Sequence, residues 1–162
     1  MNRPQQSISY LPGLDGLRAI AVLAVVVYHA NKDWLPGGFL GVEVFFVISG
    51  YLITLLLLNE SQQHGKIDFR AFWMRRARRL LPAMWTLLLG VTMYCALFER
   101  AELGKLRGDV IAAFIYVFNW FKIWSRASYF DASALDPLRH LWSLAVEEQF
   151  YLVWPLLIAA VL

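Results

Sequence analysis

Five long apolar runs, each at or near the length a helix needs to cross a bilayer, dominate this 162-residue sequence. They fall at about 14–30, 39–58, 80–98, 110–124 and 141–162. A chain built this way buries its runs in lipid, so the expected fold is an all-α integral membrane protein, a multi-span bundle of about five helices. Composition agrees, with 59% hydrophobic and 17% charged residues. That balance excludes a disordered tail, a disulfide-rich secreted module and an ordinary cytosolic domain. The single cysteine, Cys95, can form no internal disulfide and no thiolate metal site, and no metal is expected. Nor is nucleic acid expected as a partner.

The runs differ in their flanks. Trp34, Pro36, Gly37 and Gly38 make a turn between the first and second. Asp15 and Arg18 fit poorly with a cleaved leader, so the first run is expected to stay. The third opens on Leu81 and Pro82, with the proline placed in a first turn where its missing N–H costs nothing. The fourth is short and contains Asn119 and Lys122, which suits a tilted, re-entrant or interfacial segment. The fifth reaches the last residue without a cap or a polar flank, as expected of one membrane domain that continues further. Lys66, Arg70, Arg75, Arg76, Arg78 and Arg79 crowd the connection between the second and third runs. By the positive-inside rule that connection is cytoplasmic, which puts the amino terminus inside as well.

Several polar residues exceed what a passive anchor needs. Arg18 and His29 are eleven positions apart, three turns plus about 20°, so they share a face about 16 Å apart along the axis. Asp15 is placed to pair with Arg18. Glu43 lies in an apolar stretch with Ser49 and Gly50 beyond it, and as a buried carboxylate it would seek Arg18 or His29. Gly41 and Gly50 allow close helix approach. Arg75, Arg76 and Arg79 converge at helical spacing, suited to a forked grip on a phosphate, although a stop signal or anionic-lipid contact would use the same residues. No Walker-type or GxGxxG loop accompanies them. In the last run His140, Ser143, Glu147 and Tyr151 form one polar stripe, with Glu148 about 100° away. Pro155 should kink that helix and free a carbonyl that a neighbour must satisfy.

Four ordered segments carry a family resemblance: LDGLRAIAVLAVVVYH, GGFLGVEVFFVISGYLIT, FRAFWMRRARRLLPA and YFDASALDPLRHLWSLAVEEQFYLVWP. Together, from Tyr10 to Pro155, they resemble the acyltransferase 3 family of membrane O-acyltransferases that modify bacterial surface polysaccharides. The resemblance implies transfer of an acyl group, usually acetyl from cytoplasmic acetyl-CoA, to a hydroxyl of peptidoglycan, lipopolysaccharide or another surface glycan across the bacterial inner membrane. It places the family's arginine and histidine on Arg18 and His29, its RRxxR motif on Arg75, Arg76 and Arg79, and its WSLxxEEQFY segment on Trp142, Ser143, Leu144, Glu147, Glu148, Gln149, Phe150 and Tyr151.

The roles implied are His29 as general base or transient acyl carrier, helped by Arg18, Glu43 and Glu147, with the three arginines on the coenzyme. Ser49, His140, Trp142, Ser143, Glu148, Gln149 and Tyr151 would line the cavity for a glycan or lipid-linked sugar. Glu43 stands where the family more often has aspartate. The family's domain has about twice as many helices, so the chain corresponds to its amino-terminal half, with a carboxy-terminal half as partner and the fragment's own activity open. The second segment is most similar to members with an added extracytoplasmic esterase-like domain. A transporter or flippase using the same charges as a relay, or an inert membrane fragment, are the other readings.

Overall fold

The computed structural model describes residues 11–125 and 136–162, and every regular element among them is helical. The helices are α1 (Pro12–Ala30), α2 (Gly41–His64), α3 (Phe69–Phe98), α4 (Leu103–Phe114), α5 (Phe118–Trp124) and α6 (Leu141–Val161), with 3-10 turns at Gly38–Leu40 and Arg100–Glu102. Four of the long helices, α1, α2 with its leading turn, α3 and α6, are long and apolar enough to cross a membrane. Their outward residues, among them Leu23, Val47, Leu89 and Leu152, are large and apolar. A bilayer solvates such a surface, whereas water would not.

The expected count of five becomes four because the run at 110–124 is not one helix. α4 ends at Phe114 and α5 begins at Phe118, with Tyr116 between them in the left-handed region at φ 55°. Twelve and seven residues of helix reach about 18 and 10 Å, short of the roughly 30 Å of a hydrocarbon core.

Two other boundaries move. The third run starts eleven residues earlier than hydropathy places it, because the Asp68 carboxylate accepts the Ala71 N–H at 2.9 Å and caps a helix that runs on through the arginines. Pro82 therefore lies inside α3 rather than in its first turn. The second run continues to His64 and stops at Gly65, whose φ of 68° suits a residue without a Cβ.

The chain divides into two compact units, 1–67 with 155–162 and 68–154. In the first, Gly38 meets Ala24 and Tyr28, Gly41 meets Ala21 and Val25, and Phe45 lies under Arg18. The partner number falls as the α2 number rises, so α1 and α2 form an antiparallel hairpin. Its tightest point is Gly41, where a Cβ would strike the Ala21 carbonyl and lie 2.9 Å from a Val25 methyl. In the second unit Met84, Leu88 and Cys95 of α3, Leu106 and Ala112 of α4, Phe118 of α5, Leu138 in the turn before α6 and Ala145 of α6 share one core.

Adding a methyl at Gly41 meets backbone, which cannot rotate away. Gly41→Ala is therefore expected to cost about 1–3 kcal/mol of stability. Gly90, with nothing near its missing Cβ, should gain up to about 1 kcal/mol as alanine. Melting temperatures of the two variants in detergent, compared with the parent, check both signs.

Candidate functional site

Four of the expected site residues belong to the first unit. His29 lies exposed at the carboxy-terminal end of α1, with its Nδ1 2.8 Å from the Val25 carbonyl. A carbonyl oxygen only accepts, so Nδ1 carries the proton and in the neutral ring Nε2 carries the lone pair. Tyr28 packs edge-on against the ring at 5.3 Å. Its own helix thus orients the histidine. Glu43 is exposed in the first turn of α2, and among the described residues no ion pair joins it to Arg18 or His29. Nor does Arg18 pair with Asp15. Its guanidinium lies 4.7 Å from the centre of the Phe45 ring, a cation–π contact across the hairpin. Ser49 is buried at 4% exposure, and its hydroxyl finds no partner among the described residues.

The second unit holds the arginines and the polar stripe. Arg75 and Arg79 are exposed and one turn apart. Arg76 faces elsewhere: its guanidinium lies 4.0 Å from the Tyr151 ring centre and 5.2 Å from that of Phe72. The three do not form one exposed fork. On α6 the stripe is real between Glu147 and Tyr151, whose hydroxyl donates to the Glu147 carboxylate. Ser143 donates to the His140 carbonyl at 3.0 Å, His140 itself lies just before the helix, and Trp142 packs on the core. Residues 129–135 of the last resemblance segment lie outside the described residues.

Pro155 frees the Tyr151 carbonyl, four residues before it, as expected. The Trp73 indole N–H fills that vacancy at 3.1 Å. Gln149 meets the broken elbow between α4 and α5. Its Nε2 donates to the Tyr116 carbonyl at 2.7 Å and to Asn119 Oδ1 at 2.9 Å, and its Oε1 accepts from Asn119 Nδ2 at 3.2 Å and Trp120 Nε1 at 3.3 Å. An amide has two donors and two acceptor positions, and all four are taken.

A second polar cluster went unforeseen. Lys122 of α5 bonds Asp109 of α4 at 2.9 and 3.0 Å and Asp136, near the start of α6, at 3.0 Å. Arg139 approaches Asp136 at 3.9 Å. Burial pushes the Asp109 carboxyl above the usual range, against the opposing hydrogen bond and charge of Lys122. Lys122 within an apolar run was the visible signal; its partners, thirteen residues before and fourteen after, follow no helical period.

A family model described as an acyltransferase domain matches residues 11–162. The chain belongs to the acyltransferase 3 family. It is 51% identical over 150 residues to the peptidoglycan O-acetyltransferase OatA of Listeria monocytogenes, covering 92% of this chain and 24% of that protein. To the O-acetyltransferase OatA of Staphylococcus aureus it is 52% identical over 153 residues, 94% of this chain and 25% of that protein. The chain thus spans about a quarter of the length of these relatives. No solved structure matches it.

Gln149→Leu leaves a strained elbow with an unanswered carbonyl, amide and indole. The expected cost is about 2–4 kcal/mol, read as a lower melting temperature with altered Trp120 emission. Lys122→Met should cost about 3 kcal/mol near neutral pH by leaving the Asp109 carboxylate buried without its cation. The Asp109 carboxyl then titrates higher folded than unfolded, so the variant is most stable below the unfolded carboxylate range and loses stability as pH rises through the folded value. Unfolding curves at acid and neutral pH should show the gap between variant and parent closing in acid.

Proposed function

We propose that the chain is the donor-side part of a membrane O-acyltransferase, which moves an acetyl group from cytoplasmic acetyl-CoA to a hydroxyl of a surface glycan. Peptidoglycan, the substrate in the name of the Listeria relative, is the first acceptor to test. The observation that carries the reading is the His29 ring, whose proton is held on Nδ1 by Val25 so that Nε2 is the basic atom. Family membership supplies the reaction class.

In this mechanism His29 Nε2 takes the proton of the acceptor hydroxyl as that oxygen attacks the thioester carbonyl. The C–S bond breaks, the coenzyme leaves as thiolate, and the imidazolium returns the proton to sulfur. A two-step route, with the acetyl group resting on Nε2, uses the same lone pair. Arg75 and Arg79, exposed one turn apart, are suited to the coenzyme phosphates, which they would hold as paired charges at the cytoplasmic face. Arg18 keeps a positive charge beside the path from one face to the other. In the second unit Ser143, Glu147 and Glu148 are groups of the kind that bind acceptor hydroxyls. Trp142, Gln149 and Tyr151 shape the wall, Gln149 by filling its own hydrogen bonds rather than a ligand's.

Localisation in the bacterial inner membrane with the amino terminus cytoplasmic follows from the basic stretch at 66–79. Because α4 and α5 add no full crossing, α6 then enters from the outer side. A segment matching the rest of the relatives' length would be the partner that closes the cavity.

The test is acetyl-CoA binding and acetyl transfer by the intact protein in detergent. His29→Ala should keep binding and insertion while lowering turnover at least about a hundredfold. The Arg75→Ala, Arg79→Ala double variant should weaken coenzyme binding by about tenfold or more with topology unchanged. Full turnover in His29→Ala removes its role. A flipped topology in the arginine variant assigns that pair to insertion instead.

A further inference from the structure

The arginine triplet reads as one motif, yet its members have different surroundings. Arg76 is half-buried, stacked on Tyr151 and set beside Phe72, and its Nε is buried without a hydrogen-bond partner among the described residues. Arg75 and Arg79 are exposed. Arg76 thus meets two rings with its guanidinium half-buried, where an anion has less access than at the exposed Arg75 and Arg79.

What Arg76 does touch is the polar part of α6. Tyr151 lies one turn beyond Glu147, to which its hydroxyl donates, and three residues beyond Glu148, so all three side chains belong to neighbouring positions on one helix. Glu148 Oε1 is buried and has no hydrogen-bond partner among the described residues, and the charges acting on this carboxylate are those of Glu147 and Arg76. Trp73, three residues before Arg76 on the same helix, holds the Tyr151 carbonyl. The same stretch of α3 thus fixes Tyr151 at both its backbone and its ring.

We propose that the triplet is divided, with Arg76 a positioning residue that sets Glu147 and Glu148 through the Tyr151 ring and only Arg75 and Arg79 presented to an anion. The cation also offsets two adjacent carboxylates in a half-buried place, where removing it leaves like charges facing each other. The role of the carboxylates in turnover rests on the acyl-transfer reading. The division of the arginines does not.

A double-variant cycle decides it. Thermal unfolding of the intact protein in detergent is measured for Arg76→Met, Tyr151→Leu and the pair. If ring and guanidinium hold each other, the paired loss in melting temperature falls roughly 3 °C short of the sum of the single losses. Additive losses overturn the assignment. Should Arg76→Met fail to fold, Arg76→Lys, which keeps charge but not the flat stack, takes its place in the same cycle.

Coenzyme binding supplies the second arm. Acetyl-CoA affinity of Arg76→Met is expected within about threefold of the parent, against about tenfold or more lost in the Arg75→Ala, Arg79→Ala variant. Turnover should fall about tenfold with KM for acetyl-CoA unchanged and return in part with Arg76→Lys. A binding loss equal to that of the double variant places Arg76 on the phosphates and overturns the division. If the parent binds no acetyl-CoA, the acyl-transfer reading fails while the unfolding cycle still decides the role of Arg76.

Discussion

A backbone group left unbonded in hydrocarbon costs several kcal/mol, and the polar residues of α6 are arranged around that constraint. Pro155 removes one helical bond, and the Trp73 indole replaces it. The elbow between α4 and α5 leaves the Tyr116 carbonyl, and Gln149 answers it, its amide held in turn by the Asn119 side chain. Each repair comes from a different helix, so satisfying the backbone also fixes how α3, α5 and α6 sit against one another within the second unit. Apolar packing alone would hold these helices less specifically, since lipid tails compete equally for a leucine surface.

The same economy runs through the charges. Lys122 draws Asp109 and Asp136 together, which ties α4 and α5 to the residues leading into α6. Arg18 and Arg76 each lie over an aromatic ring, Phe45 and Tyr151 respectively. A ring face stabilises a cation without a countercharge that would itself need burying. His29 is oriented by a backbone carbonyl one turn earlier, an arrangement that needs no second helix to select its tautomer.

Much of this was legible from the residues. The apolar runs placed four spanning helices, the spacing of Glu147 and Tyr151 placed them in contact, and Pro155 announced an orphaned carbonyl. Four ordered segments named the family that the comparison then showed. Other features were out of reach of local reading. Hydropathy started α3 too late because five arginines interrupt its first eleven residues, and the Asp68 cap marks the true beginning. A fifth span was expected because Val110 to Trp124 is largely apolar; Asn119 and Lys122 pointed to a tilted or re-entrant segment, but hydropathy does not locate the break at Tyr116.

By itself, the sequence determined what must avoid water and what must face it: periodicity and run length are local properties, and they dictate helices, their number to within one, and the polar stripe. Only the tertiary structure decided which polar group answers which. Helical spacing brings Arg76 near Arg79, yet the ring of Tyr151, seventy-five residues later in the chain, lies under Arg76 and turns it from its neighbours. A side chain goes to the partner that lowers its free energy most, and that partner is a matter of packing in three dimensions, which no local pattern contains.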